Sequence, residues 1–168
     1  MTIAIRPETP ADEESIEEVT RRAFISHPYS HQTEHFIIRA LRAAQALSVS
    51  LVAEDLGRIV GHIALSPVAV SDGAVGWYGL GPISVAPECQ RRGIGRALME
   101  RGLAELRKIG ANGCVLVGEP AFYTRFGFAN DPALMLEGVP QEFVLSLALG
   151  ASSAHGNVEF HPAFQEKG

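Results

Sequence analysis

Apolar residues recur along this chain in two rhythms, and the changes of rhythm mark its elements. Ile3 and Ile5 alternate with other residues and predict a short strand over residues 2–6, stopped by Pro7. Ile16, Val19, Ala23 and Phe24 then repeat at helical spacing, behind Thr9 as N-cap, Pro10 at the first helical position and Asp12 three residues after the cap. Acids at Asp12, Glu13 and Glu14 and bases at Arg21 and Arg22 suit the two ends of that helix dipole. Phe36, Ile37, Ala40, Leu41 and Ala44 give a second helix. Residues 48–54 and 58–65 read as two strands joined by Asp55, Leu56 and Gly57, a hairpin by its length and its glycine. After Pro67 and a turn at residues 71–73, residues 77–85 form a further strand with Pro82 inside it. Proline cannot donate to a ladder, so a bulge is expected there.

Ile94, Leu98, Leu103, Leu106 and Ile109 mark a helix over residues 93–109 that Gly110 ends. Residues 112–118 are a buried strand, 120–126 a short helix opened by proline, and residues 134–136, 143–149 and 158–160 two or three more strands. Interleaved strands and helices of this kind define an α/β protein, and 168 residues without a linker or repeat predict one domain over 1–168.

Composition narrows the partners. A net charge of -5 argues against nucleic acid or an anionic membrane, both of which reward a basic surface. No signal peptide or long apolar segment is read in the sequence, and Cys89 and Cys114 fit a reducing compartment, so a cytoplasmic location is expected. Cys114, in an apolar run, reads as a small core residue.

The chemistry concentrates between residues 79 and 98. Gly93 and Gly95 let the chain bend and bring backbone N–H groups close to a ligand at the first turn of a helix, where the dipole adds positive charge. Arg91, Arg92 and Arg96 add full charges, so the expected guest carries several anionic oxygens, as a pyrophosphate does. The nucleotide-kinase loop is absent, and neither glycine cluster opens a helix with the dinucleotide spacing Gly-x-Gly-x-x-Gly. His27, His31 and His35 lie four residues apart, but Pro28 disfavours helix at His27, so a metal site is rejected in favour of a solvated or substrate-facing loop.

What remains is Gln-x-x-Gly-x-Gly at Gln90, Gly93 and Gly95, followed by Tyr-x-x-x-Gly-Phe at Tyr123, Gly127 and Phe128. In this order the two motifs resemble the GNAT superfamily of acyl-CoA-dependent N-acetyltransferases, and with the flanking elements the resemblance covers nearly the whole chain. It implies a mixed, mostly antiparallel sheet of about seven strands flanked by helices and splayed between the fourth and fifth strands. It implies acetyl-CoA as cosubstrate, no metal, and an amine of a small molecule or peptide as acceptor, acetylated by direct attack in a ternary complex. A homodimer is also entertained. A rival is a non-catalytic acyl-CoA-binding sensor or interaction module with the same fold; a dinucleotide oxidoreductase is a third.

By resemblance, Gln90, Arg91, Arg92, Gly93, Ile94, Gly95 and Arg96 hold the pyrophosphate, Ile83 and Ser84 bond the pantetheine amides, and the N–H of Val85 meets the oxyanion. Phe122 and Tyr123 complete the cofactor side. Tyr123 carries the proton for the departing thiolate; the alternative is that it only packs beside Phe122, Phe126 and Phe128. A general base is left open. Glu119 is the best-placed carboxylate, with Glu54 and His62 behind it, and a water route needs none of them. The segment from Gly118 to Phe122 is short and lacks the asparagine often found there in the family, which puts that cofactor contact in question. Tyr29, Trp77, Tyr78 and the histidine loop are acceptor-side candidates.

Overall fold

The computed structural model describes residues 2–168. Its strands are β1 (Ile3–Pro7), β2 (Val49–Asp55), β3 (Arg58–Pro67), β4 (Ala69–Val70), β5 (Trp77–Val85), β6 (Gly113–Val117), β7 (Ala129–Asn130), β8 (Leu134–Met135), β9 (Val144–Ala148) and β10 (Gly156–Glu159). The helices are α1 (Glu13–Phe24), α2 (Glu34–Ala43), α3 (Ile94–Lys108) and the single turn α4 (Pro120–Tyr123). Seven strands make one sheet in the order β1-β2-β3-β5-β6-β9-β7, and β4-β10-β8 make a second. By contacts the chain divides into two compact units, one running to Leu65 with Gly81–Leu103 and Pro162–Gly168, the other Ser66–Leu80 with Ala104–His161.

In the first unit β1 and β2 pair antiparallel from Ile3 opposite Asp55, and β2 turns into β3 through Leu56 (φ 50) and Gly57 (φ 82), two left-handed residues that suit a tight hairpin. Ile16 of α1, Ile38 of α2 and Val52 of β2 form one apolar cluster, so both helices cover the same face of this sheet. Ile38 supplies the burial on α2 that the sequence assigned to Ala44, which is exposed. Residues Pro10–Asp12 form a 3-10 turn ahead of α1. Asp12, three residues after the Thr9 cap, accepts the Thr9 N–H at 2.7 Å as a capping box requires, and it is also buried and bonded by Arg6 at 2.7 Å, a partner the sequence did not announce.

A second polar line crosses this face. Arg42 donates to Glu8 at 2.9 and 3.0 Å, the Ser50 hydroxyl donates to Glu8, and Ser50 Oγ lies 2.8 Å from Nε2 of His62, which is wholly buried. Burial alone would raise the Glu8 pKa, but His62, Arg42 and Ser50 together outweigh it and hold the carboxyl at about 2 against an ordinary 4.5. A depressed carboxylate stabilises the fold fully above its unfolded pKa and stops doing so as pH falls through the folded value. Stability is therefore expected to decline between about pH 4.5 and pH 2, by up to ~3 kcal/mol from this group. Acid titration followed by circular dichroism should show a flatter decline over that window in Glu8→Gln than in the parent.

In the second unit β6 pairs in parallel with β5 only at Trp77, Tyr78 and Gly79, then antiparallel with β9 over five pairs from Gly113 opposite Ala148. The three-residue parallel ladder is the short pairing expected of splayed strands. Trp77 sits in an apolar core with Val70, Val115, Leu134, Val144 and Val158. It therefore packs inside the unit rather than presenting to an acceptor. A Cβ on Gly113 would lie 2.3 Å from Cζ3 of the Trp77 ring. Gly113→Ala should overpack that core by about 1–3 kcal/mol and lower Tm by several degrees in a thermal melt.

The chain between Trp77 and Ala86 carries an extra residue. The Ala86 N–H bonds the Val60 carbonyl at 2.8 Å, and a regular ladder from there would set Val68 against Tyr78. The Val68 N–H bonds Trp77 instead, at 3.0 Å, so β5 is bulged relative to β3. In-out alternation slips at Gly79 and Leu80, both buried, just before the cis peptide between Gly81 and Pro82.

Candidate active site

The β5–α3 connection builds the anion cradle. Pro87–Cys89 forms a 3-10 turn, Gln90 is extended, Arg91 (φ 64) and Gly93 (φ 81) are left-handed, and α3 begins at Ile94. Arg91 adopts a conformation that costs a residue with a Cβ, whereas Gly93 adopts it freely. The Ala97 N–H takes the Gly93 carbonyl at 3.0 Å as the first helical bond. The N–H groups of Ile94, Gly95 and Arg96 thus have no acceptor inside the helix, and their partial charge adds to that of the dipole. Arg91, Arg92 and Arg96 are exposed around this turn, with Arg96 Nε held 2.9 Å from Glu100. Gln90 reaches back to the Val85 carbonyl at 3.4 Å, so the motif glutamine joins the loop to the end of β5. Ser84 is buried, and Ile83 and Val85, which flank it, are partly exposed.

This arrangement suits a diphosphate. Backbone donors and three arginines share one turn, and the acids beside them are already engaged, Glu100 by Arg96 and Glu88 by Arg22 and Arg58. Sequence reading missed these two partners, because they come from α1 and β3 and no local spacing announces them.

In the second unit, α4 starts at Pro120 behind the Glu119 carbonyl, continues as a 3-10 turn over Thr124–Phe126 and ends at left-handed Gly127 (φ 94). Tyr123 packs edge-on to Phe122 at 4.9 Å and lies 6.3 Å from Phe128. Its ring rests on Gly118, where a Cβ would lie 2.4 Å from Tyr123 Cε2. Burial pushes the Tyr123 phenol pKa upward, so it stays protonated at neutral pH.

Of the base candidates, Glu54 is bonded to Arg6 at 3.0 Å and His62 is buried in the Glu8–Ser50 line, its pKa lowered by burial. Glu119 is exposed and uses its carbonyl to accept from Phe122 and Tyr123 at 3.2 and 3.4 Å. Cys114 is fully buried and burial raises its thiol pKa, which leaves it a packing residue. The three histidines do not share one helix: His27 and His31 lie in the α1–α2 connection, and His35 on α2 with its ring 4.0 Å from Phe36. Among the described residues no cluster of His, Cys, Asp or Glu could hold a metal.

A helix N-terminus with flanking arginines, at the end of a strand in a mixed sheet, is an anion site of the kind that the resemblance to the GNAT superfamily implies, and that resemblance predicts an acyltransferase that takes its acyl group from a coenzyme A thioester. Comparison with known proteins bears this out. The family model of the acetyltransferase (GNAT) domain matches residues 46–130. The uncharacterised N-acetyltransferase YhbS of Escherichia coli K12 is 36% identical over 167 residues, covering 95% of this chain and 97% of that protein. A GNAT family acetyltransferase from Brucella melitensis, solved in complex with acetyl-CoA, superposes with a TM-score of 0.87 at 46% identity, covering 97% of this chain and 98% of that one. The crystal structure of E. coli YhbS with CoA gives a TM-score of 0.89 at 31% identity, over 99% and 93% of the two chains. This chain belongs to the GNAT family and is an N-acetyltransferase.

Proposed function

We propose that the protein transfers the acetyl group of acetyl-CoA to an amine of a small molecule or peptide, by direct attack in a ternary complex. The observation that carries this reading is the cradle: left-handed Arg91 and Gly93 ahead of α3, with the N–H groups of Ile94, Gly95 and Arg96 and three arginines at one turn. The B. melitensis and E. coli relatives were crystallised with acetyl-CoA and CoA respectively, which supports the same donor here. The thioester supplies an activated carbonyl; the residues named below bind it, orient it and move its protons.

Gln90 to Arg96 hold the pyrophosphate and Ile83 and Ser84 the pantetheine amides, with Phe122 against the same arm. The Val85 N–H donates to the carbonyl oxygen as negative charge develops on it. Tyr123 hydrogen-bonds the sulfur and gives its proton to the departing thiolate, a group of ordinary pKa roughly 8.5. Glu119, exposed at the start of α4, takes the amine proton through water. Tyr29, largely exposed in the α1–α2 connection, contributes to the acceptor side. The reaction runs in the cytoplasm, a reducing compartment that suits the free thiols Cys89 and Cys114.

Isothermal calorimetry with coenzyme A tests the donor. Association in the micromolar range is expected, and none at millimolar ligand overturns the reading. Release of free thiol from acetyl-CoA with a panel of aryl-alkylamines, polyamines and alanyl peptides then tests transfer.

A further inference from the structure

Glu88 stands where an acid ought to be unwelcome. It lies in the turn Pro87–Cys89, two residues before Gln90 opens the anion loop, and an uncompensated carboxylate there would repel a diphosphate. Its carboxylate is instead the meeting point of two guanidinium groups that come from other elements, α1 and β3. Arg22, in the last turn of α1, donates in a fork, Nη2 to Oε2 at 2.7 Å and Nη1 to Oε1 at 3.2 Å. Arg58, the first residue of β3, closes on Oε1 from another side. Held by both, Glu88 stays ionised down to about 2, with the Arg22 hydrogen bond the largest cause.

Isolated surface ion pairs contribute little to stability, so this one calls for another explanation. A bidentate arginine and a second arginine on one carboxylate fix direction as well as distance. They join the C-terminal end of α1 and the start of β3 to the exposed side of a turn whose backbone is held by the Cys89 N–H to Ala86 carbonyl bond and the Ala86 N–H to Val60 carbonyl bond, both at 2.8 Å, with Ala86 and Cys89 buried beneath it. The next residues must keep Arg91 and Gly93 left-handed and present several N–H groups in one direction, and that order carries an entropic cost. Supplying it before the ligand arrives is preorganisation.

We propose that Arg22, Glu88 and Arg58 form a positioning bracket that sets the pyrophosphate loop for coenzyme A, with Glu88 as its centre rather than a tolerated opposing charge. This rests on the assignment of residues 90–96 to the pyrophosphate. The bracket predicts a sign opposite to simple electrostatics. Removing a negative charge beside an anion site should tighten binding; removing the centre of a bracket should loosen it.

Glu88→Ala is therefore expected to raise the calorimetric Kd for coenzyme A about fivefold, and Arg22→Ala with Arg58→Ala to do the same. The triple variant should be no worse than either, since each change already opens the bracket. Glu88→Gln, which still accepts from one arginine, should recover part of the loss. Thermal stability should be unchanged, which separates loop positioning from general damage. Unchanged or tighter binding in Glu88→Ala overturns the proposal, as do additive losses in the triple variant. Hydrogen exchange on the ligand-free protein gives a reading that does not depend on coenzyme A. Amides of residues 90–96 should exchange faster in Glu88→Ala with the rest of the chain unaffected, and equal exchange there sinks the bracket even if the parent binds coenzyme A. Failure of the parent to bind coenzyme A, with exchange in the loop still accelerated, overturns the pyrophosphate assignment and leaves the bracket standing as a loop-ordering device.

Discussion

Tyr123→Phe is expected to lower kcat for acetyl transfer by tenfold or more while leaving the Kd for coenzyme A within about twofold. The substitution keeps the ring that packs on Phe122 and above Gly118, so the short helix retains its shape. What it removes is one O–H, protonated at neutral pH because burial disfavours the phenolate. A departing thiolate that must find its proton in water meets a higher barrier, and a tenfold loss corresponds to ~1.4 kcal/mol. A fall smaller than that makes the hydroxyl dispensable. Gly118→Ala provides a companion measurement: it displaces the ring without deleting the hydroxyl, so kcat should drop while the phenol remains. A loss in Tyr123→Phe without one in Gly118→Ala would mean that ring placement matters less than the proton.

Arg91→Ala combined with Arg92→Ala should weaken coenzyme A binding by at least tenfold, ~1.4 kcal/mol, measured by calorimetry. The same double variant should bind pantetheine, which lacks phosphate, as the parent does. Both side chains are exposed in the free protein, so their removal uncovers no core and Tm should hold. Rising salt should weaken binding to the parent more steeply than to the variant, because fewer charge contacts remain to be screened. Equal losses for coenzyme A and pantetheine would move the arginines from phosphate binding to general loop structure.

Much of this architecture is legible in the sequence because its long elements carry strong periods. α3 and the β2–β3 hairpin fall within a residue or two of where the apolar spacing and Gly57 place them. The two motifs were legible for a related reason: glycine at 93 and 127 marks left-handed backbone that other residues resist, whereas Gly95 lies within the first turn of α3. Short elements left a fainter trace: β8 and β10 fall near residues 134–136 and 158–160, read as strands, but their bounds and β7 were not legible. β7 has two residues, too few for an alternation to declare itself, and the pairing of β4, β10 and β8 into a second sheet depends on contacts that spacing does not carry. Ile109 shows the opposite error. It keeps the helical spacing of Leu106 and Leu103 but lies just past the end of α3, and there it is 51% exposed. Polar partners were least legible. Glu8 with Arg42, Asp12 with Arg6, and Glu88 with Arg22 and Arg58 depend on which strands become neighbours, and spacing along a chain does not carry that.

The segment after β10 has a consequence for synthesis. Ala163 is buried with Ile37, Leu41 and Ala46 against α2, with Phe164 beside it, although the whole second unit separates them in sequence. A nascent chain must therefore carry an uncovered apolar stripe on α2 while more than a hundred further residues are polymerised, on the order of ten seconds at ordinary elongation rates. During that interval the stripe is available to a chaperone or to a neighbouring nascent chain. Pausing of the ribosome before codon 163 should lengthen it, and with it the yield lost to aggregation.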